Sequence, residues 1–146
     1  MTSCCEVTQK ITEQDLRRFG GTSQYYRHNQ ILFPNLMLTD GCHFLRENAQ
    51  CYWLFDAIAS HLFCNPRLRK YRDAQEGLYW ELVVEKDDSA HLSCYSDIGE
   101  DLEIERQEID YTDIGNYTDI ETIEIWTYPT LFNNRTVWVC LLPSEY

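Results

Sequence analysis

The 146-residue chain carries 24 Asp and Glu against 12 Lys and Arg, a net charge of −12, and is 44% apolar and 14% aromatic. So many bulky groups exclude a disordered acidic tail, and the length suits one domain with its own core. A sequence pI near 4.6 argues against direct nucleic-acid binding, because the field of the chain repels phosphate, and it favours basic proteins as partners.

Met1–Ile11 has few large apolar groups and reads as a flexible leader. One α+β domain is expected over residues 12–146, with a helical half at 12–76 and an acidic β half at 77–146. Thr12 is placed to N-cap a short helix, with Glu13 and Asp15 in its first turn and Leu16 and Phe19 on one face; Gly20-Gly21 stops it. Thr22–Asn35 is aromatic and polar, and Pro34 disfavours helix before it, so a loop or short turn is expected. Thr39 or Asp40 caps a brief helix through Phe44, Leu45 and Glu47. From about Cys51 to Cys64, Trp53, Leu54, Ala57, Ile58 and Leu62 recur at intervals of three and four and predict the most buried helix. Asn65-Pro66 ends it, and Arg67, Arg69, Lys70 and Arg72 form a basic cluster.

From Leu78 the period becomes two, with Leu78, Trp80, Leu82 and Val84 on one face and Tyr79, Glu81, Val83 and Glu85 on the other. Further strands are expected around His91–Tyr95, Leu102–Ile109, Ile123–Thr127 and Thr136–Leu142. Ile109 is out of phase with Leu102 and Ile104, which points to a bulge near Arg106-Gln107. Tyr111-Thr112-Asp113-Ile114 and Tyr117-Thr118-Asp119-Ile120 repeat one pattern, echoed by Tyr95-Ser96-Asp97-Ile98, and read as a duplicated connection; Pro129–Asn134 reads as a turn. Helices first and strands afterwards predict an α+β fold, with N-terminal helices packed on one face of a four- to five-stranded antiparallel sheet. The other face is then exposed and carries Glu81, Glu85, Glu103 and Glu124.

Several stretches, taken together, are shared with a known group of sequences: Thr12-Glu13-Gln14-Asp15-Leu16 with Gly21-Thr22 and Tyr25-Tyr26, Thr39-Asp40-Gly41, Trp53 to Ser60, and Leu141-Leu142-Pro143-Ser144-Glu145-Tyr146. On these the chain resembles a family of small bacterial proteins of uncharacterised function, also seen in mobile-element contexts. The resemblance spans most of Thr12–Tyr146 and implies no activity or catalytic residues. The tandem Tyr-Thr-Asp-Ile segment and the Asn133-Asn134 turn look like local additions to it.

The seven cysteines form no framework, since the count is odd and no secretory signal precedes them; free thiols are expected. No apolar run reaches about 18 residues, so no membrane partner is expected and the location is taken as cytoplasmic. Zinc needs ligands in short pairs, and only Cys4-Cys5 is close; the acidic runs lack a calcium loop, and Gly20-Gly21 follows a helix rather than opening one. No metal or cofactor is therefore expected. Cys42-His43 beside Asp40, and Asp56 with Ser60 and His61, are the nearest approaches to a nucleophile with a base. Adjacent residues on a helix diverge by about 100°, and His61 lies about 140° around the axis from Asp56, so neither set forms a site on its own helix.

The charge carries the functional expectation. Asp87–Asn134 holds thirteen carboxylates against one cation, Arg106, whereas Met1–Lys86 balances ten with ten. Carboxylates two residues apart on a strand are spaced by about 6.5–7 Å, close to phosphates along a nucleic-acid strand. The expected function is non-enzymatic: an acidic sheet face engages a basic protein surface, as a nucleic-acid mimic inhibiting a nuclease or bacterial defence complex. The partner-binding residues are Asp97, Glu100, Asp101, Glu103, Glu105, Glu108, Asp110, Asp113, Asp119, Glu121 and Glu124, with Tyr95, Tyr111, Tyr117, Trp126 and Tyr128 as anchors. One alternative is a small enzyme with Cys42, His43, Asp56 and His61 in a cleft of the helical half. Another is a subunit of a larger assembly, or a homo-oligomer, in which Arg67–Arg72 meets an acidic neighbour.

Overall fold

Side-chain caps open several of the helical segments in the computed structural model, which describes residues 10–99 and 102–146. Helix α1 (Glu13–Arg17) opens on a capping box: Thr12 Oγ1 accepts from the Asp15 N–H, and the Asp15 carboxylate accepts from the Thr12 N–H. Thr39 caps α2 (Asp40–Asn48), and α3 (Tyr52–Cys64) buries Leu54, Phe55, Ile58, Ala59 and Leu62 along one stripe. Asn65 then caps a 3-10 turn, Pro66–Leu68, that runs into α4 (Arg69–Asp73), so the basic cluster is helical, with Leu68 anchoring it in the core. Of the expected leader, residues 1–9 lie outside the described residues. Ile11 is buried and pairs with the later loop, its N–H donating to Tyr117 O and its carbonyl accepting from Thr118 Oγ1.

The expected four- to five-stranded antiparallel sheet is corrected to a mixed sheet of seven strands. These are β1 (Tyr26–Asn29), β2 (Phe33–Leu38), β3 (Leu78–Val84), β4 (Ala90–Tyr95), β5 (Glu105–Ile109), β6 (Thr122–Phe132) and β7 (Arg135–Leu141), in the order β1-β2-β7-β6-β3-β4-β5. Every pairing is antiparallel except β2 with β7, where Leu36, Met37 and Leu38 lie beside Trp138, Val139 and Cys140. The two added strands come from the stretch expected to be a loop. Pro34 is accommodated there because it falls at the irregularity in the β1–β2 register and before the β7 pairing begins, where a missing N–H breaks no ladder.

Two smaller corrections have the same origin. Pro129–Phe132 continues β6 instead of turning, because β6 outruns β3, whose last partner is Thr127, and a proline is tolerated where one neighbour is missing. The turn is the two-residue Asn133-Asn134, both with positive φ, as a twisted hairpin demands. In β5, Glu105, Gln107 and Ile109 share the inner face, so the break in phase lies at Ile104–Glu105 rather than at Arg106-Gln107.

The helices bury their apolar stripes against one face of the sheet, formed by Leu78, Trp80, Leu82, Leu92, Cys94, Ile123, Ile125, Trp138 and Cys140. The Trp80 indole N–H donates to Thr127 Oγ1 at 3.0 Å, and that hydroxyl donates to Leu78 O, so the buried polar atoms are satisfied. The duplicated connection repeats one local device. Thr112 Oγ1 accepts from the Ile114 N–H and Thr118 Oγ1 from the Ile120 N–H, turning Ile114 into the core and Ile120 against it. Among the described residues no helix covers the opposite face, where Met37, Val137 and Val139 form a small cluster of their own.

Candidate functional site

Two central strands place like residues opposite each other on the uncovered face. Tyr79 and Glu81 of β3 and Glu124 and Trp126 of β6 point away from the helices, and the register sets Tyr79 against Trp126 and Glu81 against Glu124. Strand β4 extends the aromatic row with Tyr95 beside Tyr79, and places Ser93, whose hydroxyl donates to Glu103, beside Glu81. An aromatic row therefore runs next to an acidic one, about 6.5–7 Å away along the strands.

The rings hold one another in place. Trp126 meets Tyr79 edge-on at 5.6 Å between centroids and Tyr146 at 5.5 Å, and Tyr128 contacts both tyrosines. The hydroxyls of Tyr79 and Tyr128 share a hydrogen bond of 2.9 Å. Tyr128 lies over Gly77, where a Cβ would come within 2.5 Å of its ring, so glycine is what lets the ring settle there. Burial, and then the Tyr79 hydroxyl, push the Tyr128 phenol well above its ordinary value.

The acidic row is not compensated. Among the described residues, Glu81, Asp97 and Glu124 have no Lys, Arg or His within 4 Å. The neighbouring cation, Arg106, is already engaged: its Nε donates to Glu108 and its Nη1 lies 3.8 Å from Glu103, whose other oxygen accepts from Ser93 Oγ. Burial, followed by the charges of Glu81 and Glu103, raises the Tyr95 phenol. Tyr79, Glu81, Tyr95, Asp97, Glu124 and Trp126 line an open cleft of about 370 Å³. Ring faces and carboxylates together attract a cation, through the ring quadrupole on one side and charge-assisted hydrogen bonds on the other.

The eleven expected contact residues do not form one surface. Asp97, Glu103, Glu108 and Glu124 lie on or beside the uncovered face. Glu105 points to the opposite face; burial acts to raise its carboxyl, but the Asn65 amide, the Arg106 N–H and Arg67 outweigh that and lower it. Asp110 and Asp113 follow β5 towards α3, while Asp119, paired with Lys10, and Glu121 sit at the end of the sheet beside Asp87 and Asp88, around a cleft of about 790 Å³. Glu100 and Asp101 lie outside the described residues. Of the expected anchors, Tyr95, Trp126 and Tyr128 belong to the aromatic frame; Tyr111 is exposed beside Asp113, and Tyr117 packs on the core. Tyr79, Glu81 and Tyr146 were not among the expected contacts. The alternation of Tyr79-x-Glu81 and Glu124-x-Trp126 was visible, but the register that aligns them was not.

The polar groups of the helical half are distributed differently. Cys42 is fully buried, and burial first, then nearby Cys140 and Glu145, drive its thiol far above the ordinary range. His43 stacks on Tyr26 at 3.8 Å and faces Arg46. Asp56 meets a residue from β1: His28 Nε2 donates to Asp56 Oδ1 at 2.7 Å while Arg46 Nη1 donates to His28 Nδ1 at 3.0 Å, a pair of bonds satisfied by one tautomer. His61 instead bonds Gln107 and Asn65. Asp56 and His43 are thus linked only through His28 and Arg46, and Cys42 and His61 stand apart. Among the described residues, no group of three or more His, Cys, Asp or Glu is arranged to hold a metal ion, and no helix is long and apolar enough to cross a membrane.

A family model described as a family of unknown function (DUF6876) matches residues 10–146. The chain belongs to this family. The matched span contains every motif behind the resemblance, and several of them meet at the start of α2. Glu145 accepts from the Gly41 N–H and Thr39 Oγ1, and Asp40 accepts from the Ser23 N–H while its own N–H donates to Thr22 Oγ1. Comparison with curated proteins and with solved structures finds no match.

Proposed function

We propose that this member of the family is a non-enzymatic binding protein and that the sheet face bearing Glu81 and Glu124 engages a basic protein surface. One observation carries the reading: two carboxylates oppose each other in the middle of the sheet, without a cation beside them among the described residues, inside a frame of fixed rings. Like charges directly opposite on a ladder destabilise it, and a cationic partner removes that repulsion on binding. The rings supply rigid contact area, and the net charge of −12 steers the encounter. In the bacterial, mobile-element setting that the resemblance implies, the fitting partner is a cytoplasmic nucleic-acid-handling protein whose phosphate groove this face occupies, so that the chain inhibits it by mimicry.

Chemical cross-linking in host cytoplasm, followed by reconstitution with the purified partner, tests the reading. The expected partner is basic at the contact, is displaced by a DNA or RNA duplex, and loses about tenfold or more in affinity to Glu81→Gln with Glu124→Gln. Glu85→Gln, outside the cleft, leaves binding unchanged. Affinity that survives both the double substitution and about 0.5 M salt overturns the proposal.

A further inference from the structure

We infer that the cleft between the aromatic and acidic rows is a socket for a single arginine side chain presented by the partner. The inference rests on the proposed role of this face and narrows it from a basic surface to one guanidinium group.

The cleft offers two things at once, a pair of neighbouring carboxylates and flat rings beside them. Glu81 and Glu124 are directly opposed on adjacent strands, so their Cβ atoms stand about 4.5–5.5 Å apart. A guanidinium is planar and spreads five N–H donors in a fixed fork, so one group can donate to both carboxylates at once. A lysine ammonium is a compact point charge and reaches one of them well. One side-chain repeat along the strands, Trp126 and Tyr95 border the same cleft. A guanidinium stacks on such a ring while its edge donates outward, and because it is weakly hydrated it enters a half-buried cleft more readily than an ammonium. Asp97 adds a third carboxylate to the lining.

The cleft is also prepared for its occupant. Tyr79 is tied to Tyr128 through their hydroxyls, Tyr128 rests on Gly77, and Trp126 is flanked by Tyr79 and Tyr146, so the rings lose little freedom on binding. The chain's own Arg106 does not fill the site, because Glu103 and Glu108 hold it on the far side of Ser93. The larger cleft at the end of the sheet has Glu85, Asp87, Asp88, Asp119 and Glu121 on its walls, with Lys86 among them and no aromatic ring, and it serves as the internal control for acidic charge without a stacking surface.

The test is a nuclear magnetic resonance titration of the full chain with three glycine-flanked peptides that differ at one central position: arginine, lysine or citrulline. Citrulline keeps the planar shape and lacks the charge. The arginine peptide is expected to shift the Trp126 indole N–H and the Glu81, Tyr95 and Glu124 signals saturably, the lysine peptide to bind about fivefold or more weakly, and the citrulline peptide to leave them unmoved. Glu124→Gln is expected to weaken the arginine peptide about tenfold. Equal affinity for the lysine peptide at the same residues, or shifts centred on Asp87, Asp88 and Glu121, overturns the arginine socket while leaving a basic partner in place. Failure of both cationic peptides, together with failure of cross-linking to recover a basic protein, overturns both readings.

Discussion

Gly41 has no side chain because Glu145 occupies the space one would need. The Glu145 carboxylate accepts from the Gly41 N–H, Thr39 Oγ1 and the Leu142 N–H, and a Cβ on Gly41 would stand 2.5 Å from Glu145 Oε1. The acid thus caps α2 from the other end of the chain, next to the helix dipole's positive end. Gly41→Ala and Glu145→Ala should each lower stability by about 1–2 kcal/mol in urea unfolding, and the double variant should cost little more than the worse single, since both remove one contact. Asp40, one residue back, titrates in the same corner. The Ser23 N–H, and then the Ser23 hydroxyl, hold its carboxyl below the ordinary value of 3.8. Its folded value lies below its unfolded one, so its stabilisation is present above pH 3.8 and is lost as the pH falls through the lower, folded value. Asp40→Asn should therefore flatten the fall in urea midpoint below about pH 4. Cysteine reactivity follows burial: Cys51 is pushed up to about 12, burial likewise raises Cys42, Cys94 and Cys140, and Cys64 is exposed. Among these five, a thiol reagent should label Cys64 in the folded protein and the other four only after unfolding.

At the scale of elements, strands β3 and β6 set two like charges directly opposite each other, Glu81 against Glu124. If that pair is kept for binding, neutralising one member relieves the free protein while weakening its interaction. Glu124→Gln is expected to raise stability by about 0.2–1 kcal/mol in chemical denaturation. Adding Glu81→Gln should then contribute less than it does alone, because the repulsion is already gone. A loss of stability from Glu124→Gln would mean that the carboxylate has a favourable partner in the free chain. The same two strands explain which rings share one frame. Trp126 and Tyr79 are held by register, whereas Tyr111, equally aromatic in the sequence, stands 68% exposed after β5 and outside this frame.

The whole molecule is polarised, but its acids are divided among the sheet face, the inner face at Glu105 and the end near Asp119 and Glu121. At low ionic strength these groups repel one another through solvent over a Debye length of about 30 Å at 0.01 M salt, which shrinks to about 10 Å at 0.1 M. The urea midpoint should therefore rise over that range, and the Glu81→Gln, Glu124→Gln variant should show a smaller rise. A midpoint that falls with salt would mean that pairs such as Arg67 with Glu105 outweigh the general repulsion.

By itself, the sequence determined the local features: the capped starts of α1 and α2, the apolar stripe of α3, the alternation of β3 and β6, and the gathering of negative charge in the second half. Each depends on residues a few positions apart, where backbone stereochemistry and side-chain period leave few choices. Tertiary structure alone decided that Tyr26–Asn29 and Phe33–Leu38 become strands, because Phe33–Leu38 takes its ladder partner, β7, from the far end of the chain and Tyr26–Asn29 then pairs with Phe33–Leu38. It also decided that Tyr79 and Glu81 join Glu124 and Trp126 in one cleft while Glu105 turns to the other face. A one-residue slip in pairing would send each of those side chains to the opposite side of the sheet, and register is set by the packing of the whole core.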